Sequence, residues 1–189
     1  MIYHSVAEIF DSIDETRVRL NKRLAGLTAE QENFRPASGG WSIAEIAEHL
    51  SILEARLLRM MTVMITKAES AERKPEGEAR GFQPVSLDQF VERSLTEKYV
   101  APETVHPQGA ISVSDALERL RQSRAGLSSL RPRIEASDLT GARYPHPTFG
   151  PLNLYQWLVL IGVHEDRHLR QIEALISSPE YVAATAARA

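Results

Sequence analysis

Four stretches of this 189-residue chain bring back their apolar residues at steps of three and four. That is the period of a helix with one buried face. A strand alternates sides at every residue and cannot bury such a stripe, so the pattern points to an all-α fold. The first stretch runs from about Tyr3 to Ala25, with Val6, Ile9, Phe10, Ile13, Leu20 and Leu24 inward, Val18 less well placed, and Gly26 as its stop. Thr28-Ala29-Glu30-Gln31 is a capping box that opens a short helix ending at Phe34, before breakers from Arg35 to Gly40.

The second long helix opens at Ser42, where Ser42-Ile43-Ala44-Glu45 repeats the capping box and Trp41 is placed to staple the entry against Ile46. Its stripe is Ile43, Ile46, Leu50, Leu53, Leu57, Met61 and Met64 or Ile65. Ser114 is the expected cap of the third helix, with Ala116, Leu117, Leu120, Ala125, Leu127 or Leu130, and Ile134 inward, and an end near Ala136. Asn153, with Gln156 three residues later, caps the fourth. That helix carries Leu154, Trp157, Ile161, His164, His168, Ile172 and Leu175 to about Ser178, and Pro179 ends the pattern. From about residue 179 the alanine-rich tail is expected to fray.

Residues 68–113 are irregular, with one short helix expected over Leu87, Phe90, Val91 and Leu95 behind a Ser86 cap. So long a connection is either a functional lid or a crossover. Tyr144 to Pro151 reads as an extended loop fixed by three prolines. No stretch has a strand pattern. The expected architecture is one domain over residues 1–189: a four-helix bundle with a long crossover between helices two and three.

The fourth stripe holds the chemistry. His164 and His168, four apart, lie one above the other, about 5–6 Å apart at Cβ, on the inward face. Two imidazoles in a core need partners for their ring nitrogens, and a metal ion is one way to supply them. His49 borders the stripe of the second helix, so three imidazoles from facing helices make a candidate metal set. Three protein ligands leave a position for water or substrate. Zinc, nickel and ferrous iron all suit neutral imidazole. Core histidines satisfied by polar neighbours remain the alternative on spacing alone.

The chain has no cysteine, which excludes disulfides, thiolate metal sites and a cysteine nucleophile. A net charge of -3, with Lys and Arg dispersed, gives no field to attract nucleic acid or an anionic membrane. The N-terminus is amphipathic with early acids, unlike a signal peptide, and the longest apolar run, Trp157 to Val163, is far short of a membrane span. The expectation is a cytoplasmic, soluble protein.

His164-Glu165-Asp166-Arg167-His168 also fits H-E-x-x-H, the zinc-peptidase signature, which would make Glu165 a general base. A third ligand downstream would have to be Glu173 or Glu180, and no sheet is expected beside the site, so that context is missing. A surface or supporting role suits Glu165 better. Arg167 and Gln171 share a helix face, where a salt bridge or interhelical hydrogen bond is the simpler role and substrate contact the sharper one. Trp41 and Trp157 read as packing residues, His4 as a surface residue, and Met60, Met61 and Met64 as adaptable core or pocket wall. Tyr99, His106 and His146 lie in or near the loops, where they either line a pocket mouth or serve turn chemistry.

Trp41-Ser42-Ile43-Ala44-Glu45-Ile46-Ala47-Glu48-His49-Leu50 resembles the W-S-x-x-E-x-x-x-H-L stretch of the DinB/YfiT-like superfamily. His146-Pro147-Thr148-Phe149-Gly150-Pro151-Leu152-Asn153, Trp157-Leu158 and His164 to Ile172 resemble that family's closing helix and the segment before it. Lys98 to Glu103 and Pro107-Gln108-Gly109 are similar to its DinB-like branch. The resemblance implies a four-helix bundle, often a homodimer, with a divalent metal on three histidines; by position these are His49, His164 and His168. It also implies a metal-dependent transferase using a low-molecular-weight thiol such as bacillithiol or mycothiol, with small molecules as partners. A metal-dependent hydrolase and a metal-stabilised bundle without turnover are the alternatives.

Overall fold

The structure, a computed structural model, describes residues 2–37, 39–71, 82–86, 88, 102–109 and 111–186. Strand β1 (Ile2–Tyr3) leads into α1 (Val6–Leu24), capped by Ser5, whose hydroxyl accepts from the Glu8 amide. Gly26, at a φ of 76°, turns the chain out of α1 into α2 (Ala29–Asn33), where both halves of the Thr28–Gln31 capping box form. The capping box of α3 (Ile43–Ala71) forms too: the Ser42 amide donates to the Glu45 carboxylate at 2.9 Å, and the Glu45 amide donates to Ser42 Oγ at 3.3 Å. Strand β2 (Val85–Ser86) pairs antiparallel with β1, and a single 3-10 turn covers Glu103–Val105. The short helix expected over Leu87, Phe90, Val91 and Leu95 lies outside the described residues.

Helix α4 (Val113–Ala136) begins two residues earlier than expected. Its cap is Ser112, not Ser114: Ser112 Oγ accepts from the Asp115 amide at 3.1 Å. Ala125 is exposed, and the inward step there belongs to Ser123 and Arg124. Next, β3 (Arg143–His146) and β4 (Gly150–Asn153) form an antiparallel hairpin where an extended loop was expected. A two-stranded ribbon has open edges, so Pro145 and Pro151 sit opposite each other without breaking an inner ladder. Gly150, at a φ of 72°, closes the turn. Helix α5 (Leu154–Ile176) has the predicted Asn153–Gln156 box. Pro179 opens a further helix, α6 (Pro179–Ala186), instead of a frayed tail. Proline is at home in a first helical turn, and α6 is anchored by buried Tyr181, which meets Phe34 edge-on at 5.4 Å.

The closest pairings among the long helices are α3 with α4 and α1 with α5. Two apolar clusters fill the bundle. One takes Val6 to Ile13, Leu57 to Ile65, Leu127 to Ile134 and Leu154 to Ile161 from the four helices. The other takes Leu20 and Leu24, Ile43 to Leu50, Val113 to Leu120, and Leu169 and Ile172. The order of the clusters along each helix gives its direction. Helices α1 and α5 run parallel, α3 and α4 run parallel, and the two pairs oppose each other. A parallel neighbour cannot be reached by a tight turn, because the chain must first return the length of the helix. The long crossover between α3 and α4 follows from that topology.

Candidate metal centre

The two clusters leave a layer between them, and every inward position there is polar. Arg17 of α1, Glu54 of α3, Ser123 and Arg124 of α4, and Glu165 of α5 are all buried. Arg17 grips Glu165 with two parallel bonds of 2.8 Å and donates to Glu54 at 2.6 Å. Arg124 donates to both carboxylates at 3.2 Å, and Ser123 Oγ to Glu54 at 2.8 Å. Arg124 also donates to the exposed Asp14 at 2.9 Å, and the two buried cations and two buried anions compensate each other where none could remain alone.

The histidines adjoin this layer. His49 stands five residues before Glu54 on α3, and His164 and His168 bracket Glu165 on α5. The structure brings the three together: His164 Nε2 lies 3.4 Å from His49 Nε2 and 3.2 Å from His168 Nε2. Tetrahedral zinc, at about 2.0–2.1 Å from nitrogen, would space its ligands by about 3.3 Å. His49 Nδ1–H donates to the Val105 carbonyl at 2.7 Å, and His168 Nδ1–H to Gln171 Oε1 at 2.9 Å. Those bonds commit the ring protons to Nδ1 and leave Nε2 as a bare lone pair on both rings. A proton on His164 Nε2 can serve only one of its two neighbours, whereas a divalent cation serves all three. The donor set fits a metal.

The electrostatics agree. Burial is the main cause that holds the three imidazoles below their ordinary range, and His168 is lowered to about 3. The neighbouring imidazoles add to the effect on His164, and the Arg167 charge acts on both histidines of α5. Neutral imidazole is the form that binds metal. Trp41, at the entry to α3, stands over the site, its ring 4.9 Å from His49 and 6.4 Å from His168. His106 meets Trp41 edge-on at 5.8 Å.

Several residues take roles that the sequence did not assign. Glu165 is neither a surface residue nor a free base, because Arg17 holds both of its oxygens; burial raises its pKa against the pull of Arg17 and Arg124. Gln171 makes a bond within its own helix, and its role is to orient His168. Glu48, buried beside His49, accepts from the Gln108 and Gly109 amides at 3.1 and 2.8 Å, which secures the segment that presents the Val105 carbonyl. Part of the signal for the polar layer was legible: the α1 stripe leaves a gap between Ile13 and Leu20, and Arg17 fills it. Glu173 and Glu180 are not in the histidine cluster. His4 is exposed. Met61 and Met64 are buried in the core, and Met60 and Met64 also line a cavity of about 780 Å³ at the far end of α3. Tyr99 lies outside the described residues.

The sequence profile of the DinB superfamily matches residues 12–172. The uncharacterized protein YuaE of Bacillus subtilis (strain 168) is 28% identical over 163 residues, which span 86% of this chain and 93% of YuaE. The crystal structure of TT2238, a four-helix bundle protein, superposes with a TM-score of 0.57 at 20% identity, over 89% of this chain and 98% of that one. YfiT from Bacillus subtilis, described as a probable metal-dependent hydrolase with an unusual four-helix bundle topology, superposes with a TM-score of 0.58 at 14% identity, over 97% and 92%. At these identities the two structures speak to the fold.

Proposed function

The chain belongs to the DinB superfamily, and on that premise we propose that it is a divalent-metal-dependent enzyme that transfers a small electrophilic group to a low-molecular-weight thiol. His49, His164 and His168 would hold the metal. The observation that carries the reading is the convergence of three Nε2 atoms, two with their ring protons already committed elsewhere. When bound, the metal would lower the pKa of a coordinated thiol or water and polarise an electrophile.

The chain's own residues supply orientation and shelter. Val105 and Gln171 fix two ligand rings, and Trp41 walls the site with apolar surface. No carboxylate joins the histidine cluster among the described residues. Glu165 and Glu48 are spent on Arg17 and on loop amides. A thiol, with an ordinary pKa of about 8.5, needs no such base once it meets a cation. The absence of cysteine means that the thiol would come from solution.

Hydrolysis of a small substrate is the second reading, and the description of YfiT favours it. The decisive experiment measures metal content by elemental analysis in wild type, His49→Ala and His168→Ala. It then screens the loaded protein with thiols plus electrophiles, and separately with esters and amides. About one metal per chain in wild type alone supports the site. Equal, negligible metal in all three proteins after reloading refutes it. Thiol consumption that requires wild-type histidines supports transfer, and ester or amide cleavage without thiol supports hydrolysis. The same reading includes a homodimer, for which the mass in solution would be twice the 21.1 kDa of one chain. Among the described residues no helix is long and apolar enough to cross a membrane.

A further inference from the structure

A cleft of about 780 Å³ lies at the far end of α3 from the metal centre, a volume in the range of small-molecule sites. Its first described residue, Arg59, stands ten residues beyond His49, about 15 Å along the helix. Two rows of α3 make one wall. Arg59, Val63, Lys67 and Ala71 follow at steps of four and form an exposed rim. Met60, Met64 and Ala68, one position on from each of the first three, form a more buried floor. The wall runs over twelve residues, about 18 Å of helix, so the cleft is elongated. The chain between α4 and β3 makes the opposite wall with Gly141, Ala142, Arg143 and Tyr144. That wall is built in advance. The Leu139 amide donates to Tyr155 Oη at 3.2 Å, the Ala142 amide to the Leu139 carbonyl at 3.1 Å, and Trp157 Nε1–H to the Tyr144 carbonyl at 3.2 Å. His146 Nδ1 holds the turn of the same hairpin, accepting from the Thr148 and Phe149 amides at 3.1 and 3.3 Å.

Two features say what fills it. Apolar surface is left open here: of the five large apolar side chains exposed among the described residues, Val63 at 52% and Tyr144 at 49% both line the cleft. The local charge also opposes that of the chain. Against a net charge of -3, the described lining sets three cations, Arg59, Lys67 and Arg143, beside one acid, Asp138. The three cations hold no ion pair among the described residues. Glu69, two residues beyond Lys67, is taken by Arg133 at 2.6 Å, and the Asp138 carboxylate accepts from the Thr140 amide and hydroxyl. A purely apolar ligand gives no reason for the cations, and a simple anion gives none for the open apolar surface. We propose that the cleft binds an elongated amphipathic anion: an apolar chain along the methionine floor, with a carboxylate or phosphate head among the rim cations. Methionine, unbranched and polarizable, suits a floor that must fit a flexible chain. The proposal does not depend on the metal reading.

Calorimetry of the full chain with decanoate, decyl phosphate, 1-decanol and acetate tests this. At least one of the long-chain anions should bind about tenfold more tightly than 1-decanol, the worth of hydrogen bonds to a charged head. The tighter of the two identifies the head, and acetate should not bind. Arg59→Gln and Arg143→Gln should each weaken that anion about two- to fivefold, as exposed ion pairs do, and leave 1-decanol unchanged. Val63→Glu sets an acid between Arg59 and Lys67 and should weaken the anion further, while its exposure keeps the melting temperature near that of wild type. His49→Ala should leave every affinity as it is; a loss there would put the anion on the metal and overturn the proposal. It also fails if neither anion binds, if 1-decanol binds as tightly as both, or if none of the three cleft variants moves the anion. A dimer that Val63→Glu splits, with no probe bound by either form, would assign the cleft to a second copy of the chain instead.

Discussion

His168 donates from Nδ1 to Gln171 Oε1, 2.9 Å away on the next turn, and this one bond decides which nitrogen the site receives. Gln171→Leu removes the acceptor and keeps the size. The ring is then free to rotate or to put its proton on Nε2. Metal affinity, read by competition with a chromophoric chelator, should fall about 10- to 100-fold. An unchanged affinity would show that packing alone orients the ring. The same histidine makes metal-free stability depend on pH. Its folded pKa, about 3, lies below the ordinary value of 6.5. The unfolded chain therefore takes up the proton first as pH falls, and stability present above pH 6.5 drains away toward pH 3. Between pH 7 and pH 5 this single ring should cost about 2 kcal/mol, and His168→Gln should flatten that slope in thermal melts of the apo protein. The pair His164–His168 and the inward placement of His49 were legible because helical period alone decides which residues share a face. Glu165 was not, because the H-E-x-x-H spacing says nothing about a partner 148 residues away on α1.

At the scale of elements, neighbouring residues of α3 divide one task. His49 binds the Val105 carbonyl, and Glu48 binds the amides of Gln108 and Gly109, so one turn of helix clamps both ends of a five-residue segment. Glu48→Ala should release that segment while α3 stays helical. Hydrogen exchange at Gln108 and Gly109 should quicken, and metal affinity should fall about tenfold as His49 loses its fixed acceptor. Unchanged exchange at both amides would mean that Glu48 is not the anchor. These contacts join α3 to a segment more than fifty residues away, which no periodicity announces. The caps show the same divide. Ser42, Thr28 and Asn153 were read correctly because each capping box is closed within four residues. Ser112 lost to Ser114 on sequence because two serines stood within reach and only Asp115 chooses between them. The β3–β4 hairpin was hidden by its own prolines, which a central strand would reject and a lone ribbon accepts.

At the scale of the whole molecule, the buried charge layer is where all four long helices meet on polar terms. Helices α1 and α4 give no ligand to the histidine cluster, yet Arg17 and Arg124 tie them to Glu165 beside it and to Glu54 on α3. The layer cuts the apolar core in two and lets only one register of the four helices match charge with charge. A double-mutant cycle tests this. Arg17→Met strands Glu54 and Glu165 on Arg124 alone and should destabilise by about 3–5 kcal/mol. Glu165→Leu leaves two buried cations on Glu54, with only the exposed Asp14 as a further partner of Arg124, and should cost a similar amount. The double variant retains Arg124 with Glu54 inside the layer and with the exposed Asp14 at its edge. It should lie closer to wild type than the sum of the single variants by roughly 1–3 kcal/mol of coupling, measured by denaturant unfolding of the metal-free chain. Additive losses would show that the layer acts only by size. If the charges also hold the register that brings α5 to α3, each single variant that still folds should bind zinc more weakly, and the double variant should recover part of that affinity. Wild-type zinc affinity in a single variant of clearly lowered stability would separate the layer from the metal centre.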